Sequence, residues 1–210
     1  MKFLIPLILF GFFFGCSKQR PTSLAADTTI ISIFSDTEID DLSRILDFFE
    51  SQICEIEGVD NVTSIVCYPS FFNRMKASME LGEFKTGISF DEQKELYSRI
   101  KPSSFNMIWR FSWKIQSTHN SKDTLKSIIW NYDGKYIDFL KEFSKDNDVV
   151  KNYFETYELV GDISPSMIAK LIAYHDIYNI NDIRMRLLIA IHYLTLNDDI
   201  KRKEKIEISI

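Results

Sequence analysis

The chain has 210 residues and a net charge of −5 at pH 7, with 45% hydrophobic and 14% aromatic residues. Seventeen Phe and nine Tyr against seven Gly give enough apolar area for a core, which excludes a disordered spacer. The acidic balance, with "KRKEK" at 201–205 as the one dense basic run, argues against a nucleic-acid partner.

The chain opens "MKFLIPLILFGFFFGCSKQ". Lys2 is followed by an apolar run over 3–15, interrupted by Pro6 and Gly11. A bilayer-spanning helix needs about 20 apolar residues, so this run is too short to span. A charged start, a short apolar core and a small residue at a cut site make a secretory signal. Gly15-Cys16 resembles the lipobox of bacterial lipoproteins, in which lipid is attached to the cysteine sulfur and the chain is cut just before it. The resemblance covers residues 1–17, and departs from the pattern at Phe13 and Phe14.

That resemblance implies a signal peptide over 1–15, lipid on Cys16, a tether over 16–33 and a single globular domain over 34–210. Loss of Lys2 leaves the mature chain at about −6. Two or more acyl chains hold a protein on a membrane stably, at about 0.8 kcal/mol per buried methylene. Ser17 is not acidic, and 17–26 ("SKQRPTSLAA") lacks an acidic cluster. By analogy with the family, this places the protein on the periplasmic face of an outer membrane. An ordinary signal cut after Ala25, with Ser23 and Ala25 as its small pair, is the alternative.

Beyond the tether, "TTIISIF" (28–34) reads as a strand. Ser35 and Glu38 form a capping box, and Ile39, Leu42, Ile45, Phe49, Ile53 and Ile56 recur at helical spacing, predicting a helix over 36–57 closed by Gly58. "NVTSIVCY" (61–68) is short and β-branched and reads as a strand. Pro69 suits the first turn of a helix carrying Phe72, Met75 and Met79 and ending near Gly82. A second capping box, Ser89 to Glu92, opens another helix.

The period then changes. Phe105, Met107, Trp109, Phe111, Trp113 and Ile115 alternate with Asn106, Ile108, Arg110, Ser112, Lys114 and Gln116, a period-two strand. After the polar turn "STHNSKD", residues 124–132 place Ile128, Trp130 and Tyr132 on one face, and the two segments pair antiparallel. Helices resume at 135. One stripe is Tyr136, Phe139, Leu140 and Phe143; the next runs from Val149 to Tyr157 and stops at Gly161. Ser164-Pro165 is an N-cap and N1 pair. The last helix, 181–196, is apolar nearly all round and reads as buried. The tail "KIEISI" alternates as an edge strand. The fold class is α+β, mostly helical, with a small antiparallel sheet from the middle of the chain.

With lipid on Cys16, Cys54 and Cys67 remain. In an oxidising compartment they form a disulfide; the alternative is two buried free thiols. Neither has a partner at metal-ligand spacing, so no metal and no cofactor is expected. Glycine-rich phosphate loops, Gly-x-Ser-x-Gly and His-Glu-x-x-His are absent from the sequence. His119 reads as a solvated loop residue. His175, Asp176 and His192 make an acid–base or metal constellation only if two helices bring them together. Otherwise His192 is a core residue bonded to a polar neighbour. Asp40-Asp41 and Asp198-Asp199 read as solvated.

The stripe Phe105–Trp109–Phe111–Trp113 is either the buried face of the sheet or an exposed platform for glycan or peptidoglycan; the reading adopted is burial, with Trp109 and Trp113 on one face of the strand. The function expected from this is a membrane-tethered, non-catalytic protein-interaction module of the cell envelope, for assembly or immunity-type binding. An envelope hydrolase or glycan-binding protein is the alternative.

Overall fold

Asp27 caps the first helix. Its carboxylate accepts the Ile30 N–H at 3.0 Å, and α1 (Thr28–Ile33) follows, seating Ile30 and the preceding Leu24 in the core. The computed structural model describes residues 23–58, 64–82, 84–117 and 122–207. The stretch 28–33 is thus helix rather than strand, and 24–33 belongs to the packed domain rather than to a tether. An Asp cap and one buried isoleucine outweigh the modest helix propensity of a β-branched run.

The Ser35–Glu38 capping box opens α2 (Asp36–Ile56), which buries Ile39, Leu42, Ile45, Phe49 and Ile53 on one face. Ser64–Val66 forms a 3-10 turn and Cys67 already begins α3 (Cys67–Glu80), so the strand read over 61–68 is not formed at 64–68; 61–63 lie outside the described residues. Cys54 and Cys67 are disulfide-bonded, with Cα atoms 5.2 Å apart, 13 positions from each other in sequence. Closing such a loop stabilises by about 3 kcal/mol. Urea unfolding with and without dithiothreitol is expected to differ by about that amount. Superimposable curves, with free thiols verified, would remove the cross-link from the account of stability.

Ser89 caps α4 (Phe90–Arg99) by accepting the Glu92 N–H. Pro102 at the first turn then starts α5 (Pro102–Ile108), which buries Phe105, Met107 and Ile108. Residues 105–108, read as the beginning of the strand, are therefore helical. Strand β1 (Trp109–Ser117) pairs antiparallel with β2 (Lys122–Trp130), from Trp109 opposite Trp130 to Ser117 opposite Lys122. Gly134 closes the return into α6 (Lys135–Phe143). A Cβ there would meet the Met107 carbonyl oxygen at 2.2 Å, so only glycine fits.

Asn147 caps α7 (Asp148–Val160), and Gly161 ends it at φ 73°, in the left-handed region. Ser164 caps α8 (Pro165–Ala173), with Pro165 in its first turn. The last helix, α9 (Ile183–Glu207), runs past the expected 196 and takes 205–207 out of the supposed edge strand; 208–210 lie outside the described residues. Met185 and every residue from Leu187 to Tyr193 are fully buried, as an all-round apolar helix requires. The ring of Tyr193 stacks on Phe49 at 6.1 Å and meets Phe71 edge-on at 4.8 Å, joining α9 to α2 and α3. No helix of the described residues is long and apolar enough to cross a membrane.

A polar seam fixes the approach to α4. Gln93 donates to the Leu194 carbonyl at 2.8 Å, and Asn197 donates to Gln93 Oε1 at 2.7 Å. All of these groups are buried, so each must find a partner within the fold.

At the opposite end of α9, Arg184 joins Asp27 (3.6 Å), Asp146 (3.1 Å) and Asp182 (2.8 Å) and lies over the Phe143 ring. Burial alone would lower the Arg184 pKa, but Asp182 and Asp146 hold it above its ordinary value. The N-terminal entry of the chain, at Ser23 to Asp27, is thereby fastened to the start of α9.

Candidate interaction surface

His192 and His175 have separate partners. His192 is fully buried; its Nδ1 meets the Tyr153 hydroxyl at 2.7 Å and its Nε2 has no partner. His175 stacks on Phe72 at 5.1 Å, with Nε2 3.1 Å from the carboxylate of the exposed Asp176. His192 is thus a core residue bonded to a polar neighbour. His119 lies outside the described residues, among which there is no group of three His, Cys, Asp or Glu able to hold a metal.

Burial pushes the His192 pKa down to about 3, so the imidazole stays neutral in the folded chain. The unfolded chain takes up a proton near pH 6.5. Below that pH the unfolded state binds more protons, and stability falls as pH falls. Between pH 6.5 and 5 this single group is expected to cost about 2 kcal/mol. His192→Gln should flatten the acid limb of stability against pH by that amount. A profile parallel to wild type would assign acid sensitivity to other groups.

One member of each acidic pair departs from the expected solvated face, while Asp40 is exposed as expected. Asp41 is fully buried and accepts the Lys101 N–H at 3.1 Å and Arg44 at 2.6 Å. Burial would raise its pKa, but the neighbouring Ser104 hydroxyl, the Lys101 N–H and the Arg44 guanidinium leave it lowered. Asp198 is fully buried too; it accepts the Ile128 N–H at 3.3 Å and the Arg202 guanidinium at 2.6 Å. Burial dominates there and raises its pKa. Each carboxylate pins the backbone of another element, a role the sequence does not mark.

The two tryptophans of β1 have different surroundings. Trp109 is fully buried, with its ring 5.4 Å from Tyr97 and 5.5 Å from Phe105. Its indole N–H and that of Trp130 both donate to Thr195 Oγ1, at 2.8 and 3.0 Å, and that hydroxyl donates to the Ile191 carbonyl. Trp113, expected to be buried beside it, is 63% exposed, and Phe111 between them is 47% exposed. Side chains at 109, 111 and 113 share a face, but α9 covers only the base of the ribbon. Lys126, opposite Trp113 in the register, holds its ammonium 3.9 Å from the centroid of Phe111 and 5.7 Å from that of Trp113. On the other face Arg110 lies over Tyr132 at 4.3 Å.

Phe111 belongs to the aromatic stripe of the sequence, whereas Lys126 does not stand out there: it reaches Phe111 from the paired strand, which no local pattern marks. The outcome is an exposed pair of aromatic rings bridged by an ammonium group, suited to apolar contact and anion recognition together.

Among the surface grooves, two are lined mostly by apolar side chains. One, of about 530 Å³, is bordered by Met79, Phe84, Ile129, Ile163, Ile168 and Ile200, with Asp199 and Lys203 at its rim. A second, of about 370 Å³, lies between α7 and α8 over Tyr153 and Tyr178. Neither gathers a set of groups poised for acid–base or nucleophilic chemistry. Compared with protein-family models, curated proteins and solved structures, the chain matches none.

Proposed function

We propose that the chain is a cell-envelope lipoprotein, held by lipid on Cys16 at the periplasmic face of an outer membrane, that acts as a non-catalytic protein-interaction module. The observation that carries the reading is the Phe111–Trp113–Lys126 patch and its position. Arg184 holds the N-terminal entry at one end of α9, and Asp198 meets β2 14 residues further on, about 21 Å along the helix. A chain anchored upstream of Ser23 thus carries its exposed aromatics on the far side from its attachment. The Cys54–Cys67 disulfide suits an oxidising compartment and supports the export half of the reading.

Two measurements test it. Mass spectrometry of the native protein is expected to find Cys16 as the first residue, carrying lipid, and Cys16→Ala is expected to leave the protein unprocessed or release it from membranes. A mature N-terminus at Ala26 without lipid would overturn the anchor. A photo-crosslinking amino acid at position 113, activated in cells, is expected to give a discrete protein adduct. The exposed Trp113 ring also suits a sugar face, which favours the glycan-binding reading in one respect. Trp113-dependent binding of purified cell-wall fragments, with no protein adduct, would put that reading in its place.

A further inference from the structure

We infer that the edge of β1 away from β2, which pairs with no other strand among the described residues, is a docking site for an acidic, extended segment of a partner protein, which adds to the ribbon as a third strand. The inference rests on the interaction-module reading and gives that module its recognition chemistry. Three observations carry it.

The first is the direction of the backbone groups. Asn131 donates its N–H to the Ile108 carbonyl at 2.8 Å, which makes 108 and 131 a hydrogen-bonded pair. Antiparallel pairs alternate. Trp109 with Trp130, Phe111 with Ile128 and Trp113 with Lys126 are therefore the pairs whose N–H and C=O groups point away from the partner strand. Ile128 agrees, since its N–H turns outward to Asp198 at 3.3 Å. The Phe111 and Trp113 backbone groups accordingly point out along the far edge of β1.

The second is the asymmetry of cover. Asp198 and Thr195 bring α9 against β2 and the ribbon base, Ile128 meeting Asp198 and Trp130 meeting Thr195, so that β2 runs antiparallel to α9. Along β1, by contrast, Arg110, Phe111 and Trp113 are exposed. A lone two-stranded ribbon is marginal in water and a third strand stabilises it. Edge addition by an extended peptide uses main-chain bonds for affinity and alternate side chains for specificity.

The third is charge. Within 109–130 the sequence has Arg110, Lys114, Lys122 and Lys126 against Asp123, in a chain whose net charge is −5. The Lys126 ammonium reaches back over Phe111, and so over β1. A strand added about 4.8 Å beyond β1 brings a carboxylate within reach of that ammonium. Two residues along, on the same face, an apolar side chain of the added strand meets the Trp113 ring.

The test is a phage-displayed library of random 12-residue peptides, selected on the native protein and counter-selected on Trp113→Ala. Selected sequences are expected to carry acidic and apolar residues at period-two spacing. The synthesised winner is expected to slow amide hydrogen exchange at Phe111 and Trp113 while leaving Arg110 and Ser112, already paired within the ribbon, unchanged. Lys126→Glu and Trp113→Ala, both at exposed positions, are each expected to weaken that peptide about 10-fold or more. Winners without acidic residues, or exchange unchanged at 111 and 113, would overturn the strand addition. If a protein adduct at position 113 persists in that case, the module reading stands and only its edge-strand form falls. Binding to anionic lipid vesicles or cell-wall fragments in place of peptides, with no protein adduct, would overturn both.

Discussion

Trp109→Ala lowers unfolding stability by about 3–5 kcal/mol, while Trp113→Ala, four residues along the same strand, leaves it within about 0.5 kcal/mol. Trp109 is fully buried between the Tyr97 and Phe105 rings, and its indole bonds Thr195. Truncation leaves a ring-sized void and takes one donor from a hydroxyl that organises the base of the ribbon. Trp113 is 63% exposed and has little burial to lose. In a chain of this length the first change moves the melting temperature by roughly 6–20 °C, and the second by about 2 °C or less. Thr195→Val is the companion variant should Trp109→Ala fail to fold, because it strands two buried indole N–H groups without changing volume much, at about 1–3 kcal/mol each. Equal losses at 109 and 113 would mean that the ribbon is covered along its length, and the surface assigned to it would not exist.

This contrast marks where sequence reading ends. The period-two alternation places Trp109 and Trp113 on one face, and they do share it. How far α9 reaches along that face is decided by Thr195 meeting Trp130 and Asp198 meeting Ile128, contacts across 65 and 70 positions. No local pattern encodes them, so the sequence treats a buried and an exposed tryptophan alike. The start of the strand slipped for a related reason. Phe105 and Ile108 satisfy a three-residue step as well as Phe105 and Met107 satisfy a two-residue one, and Pro102 tips the balance to helix. The segment 28–33 failed by propensity, where an Asp27 cap and the burial of Ile30 prevailed.

Where the determining interactions are local, the reading carried through. The Ser35–Glu38 capping box sits within one turn, and its helix follows from the spacing of its apolar residues. The left-handed Gly161 ends α7 as its stripe stops. The pair Cys54 and Cys67 follows from counting cysteines once Cys16 is set aside. The polar interior was out of reach: Glu50 and Arg186, 136 positions apart, look like ordinary helix-face charges in sequence.

Glu50→Ala is the other large effect, also about 3–5 kcal/mol, and its partner variant tests the reason. Glu50, on α2, is 8% exposed, and Arg186, on α9, is 9% exposed. The carboxylate accepts Arg186 at 2.6 Å and the Tyr68 hydroxyl at 3.0 Å through one oxygen, and the Ser64 hydroxyl through the other. It therefore ties together α2, α3, the 3-10 turn before α3 and α9. Glu50→Ala strands the Arg186 cation in a dry setting and leaves two hydroxyls short of an acceptor. The loss comes from the uncompensated charge more than from any net worth of the pair, since replacing both partners of a buried ion pair with apolar residues is often neutral or stabilising. Glu50→Leu with Arg186→Met should accordingly be more stable than Glu50→Ala or Arg186→Ala alone, and stand close to the native protein. Urea unfolding of the native protein, Glu50→Leu, Arg186→Met and the double variant closes the cycle, and the loss of the double variant is expected to fall well short of the sum of the two single losses. Strictly additive losses would show that Glu50 and Arg186 act independently, and the tie between α2 and α9 would rest on apolar packing of Phe49 and Tyr193 alone.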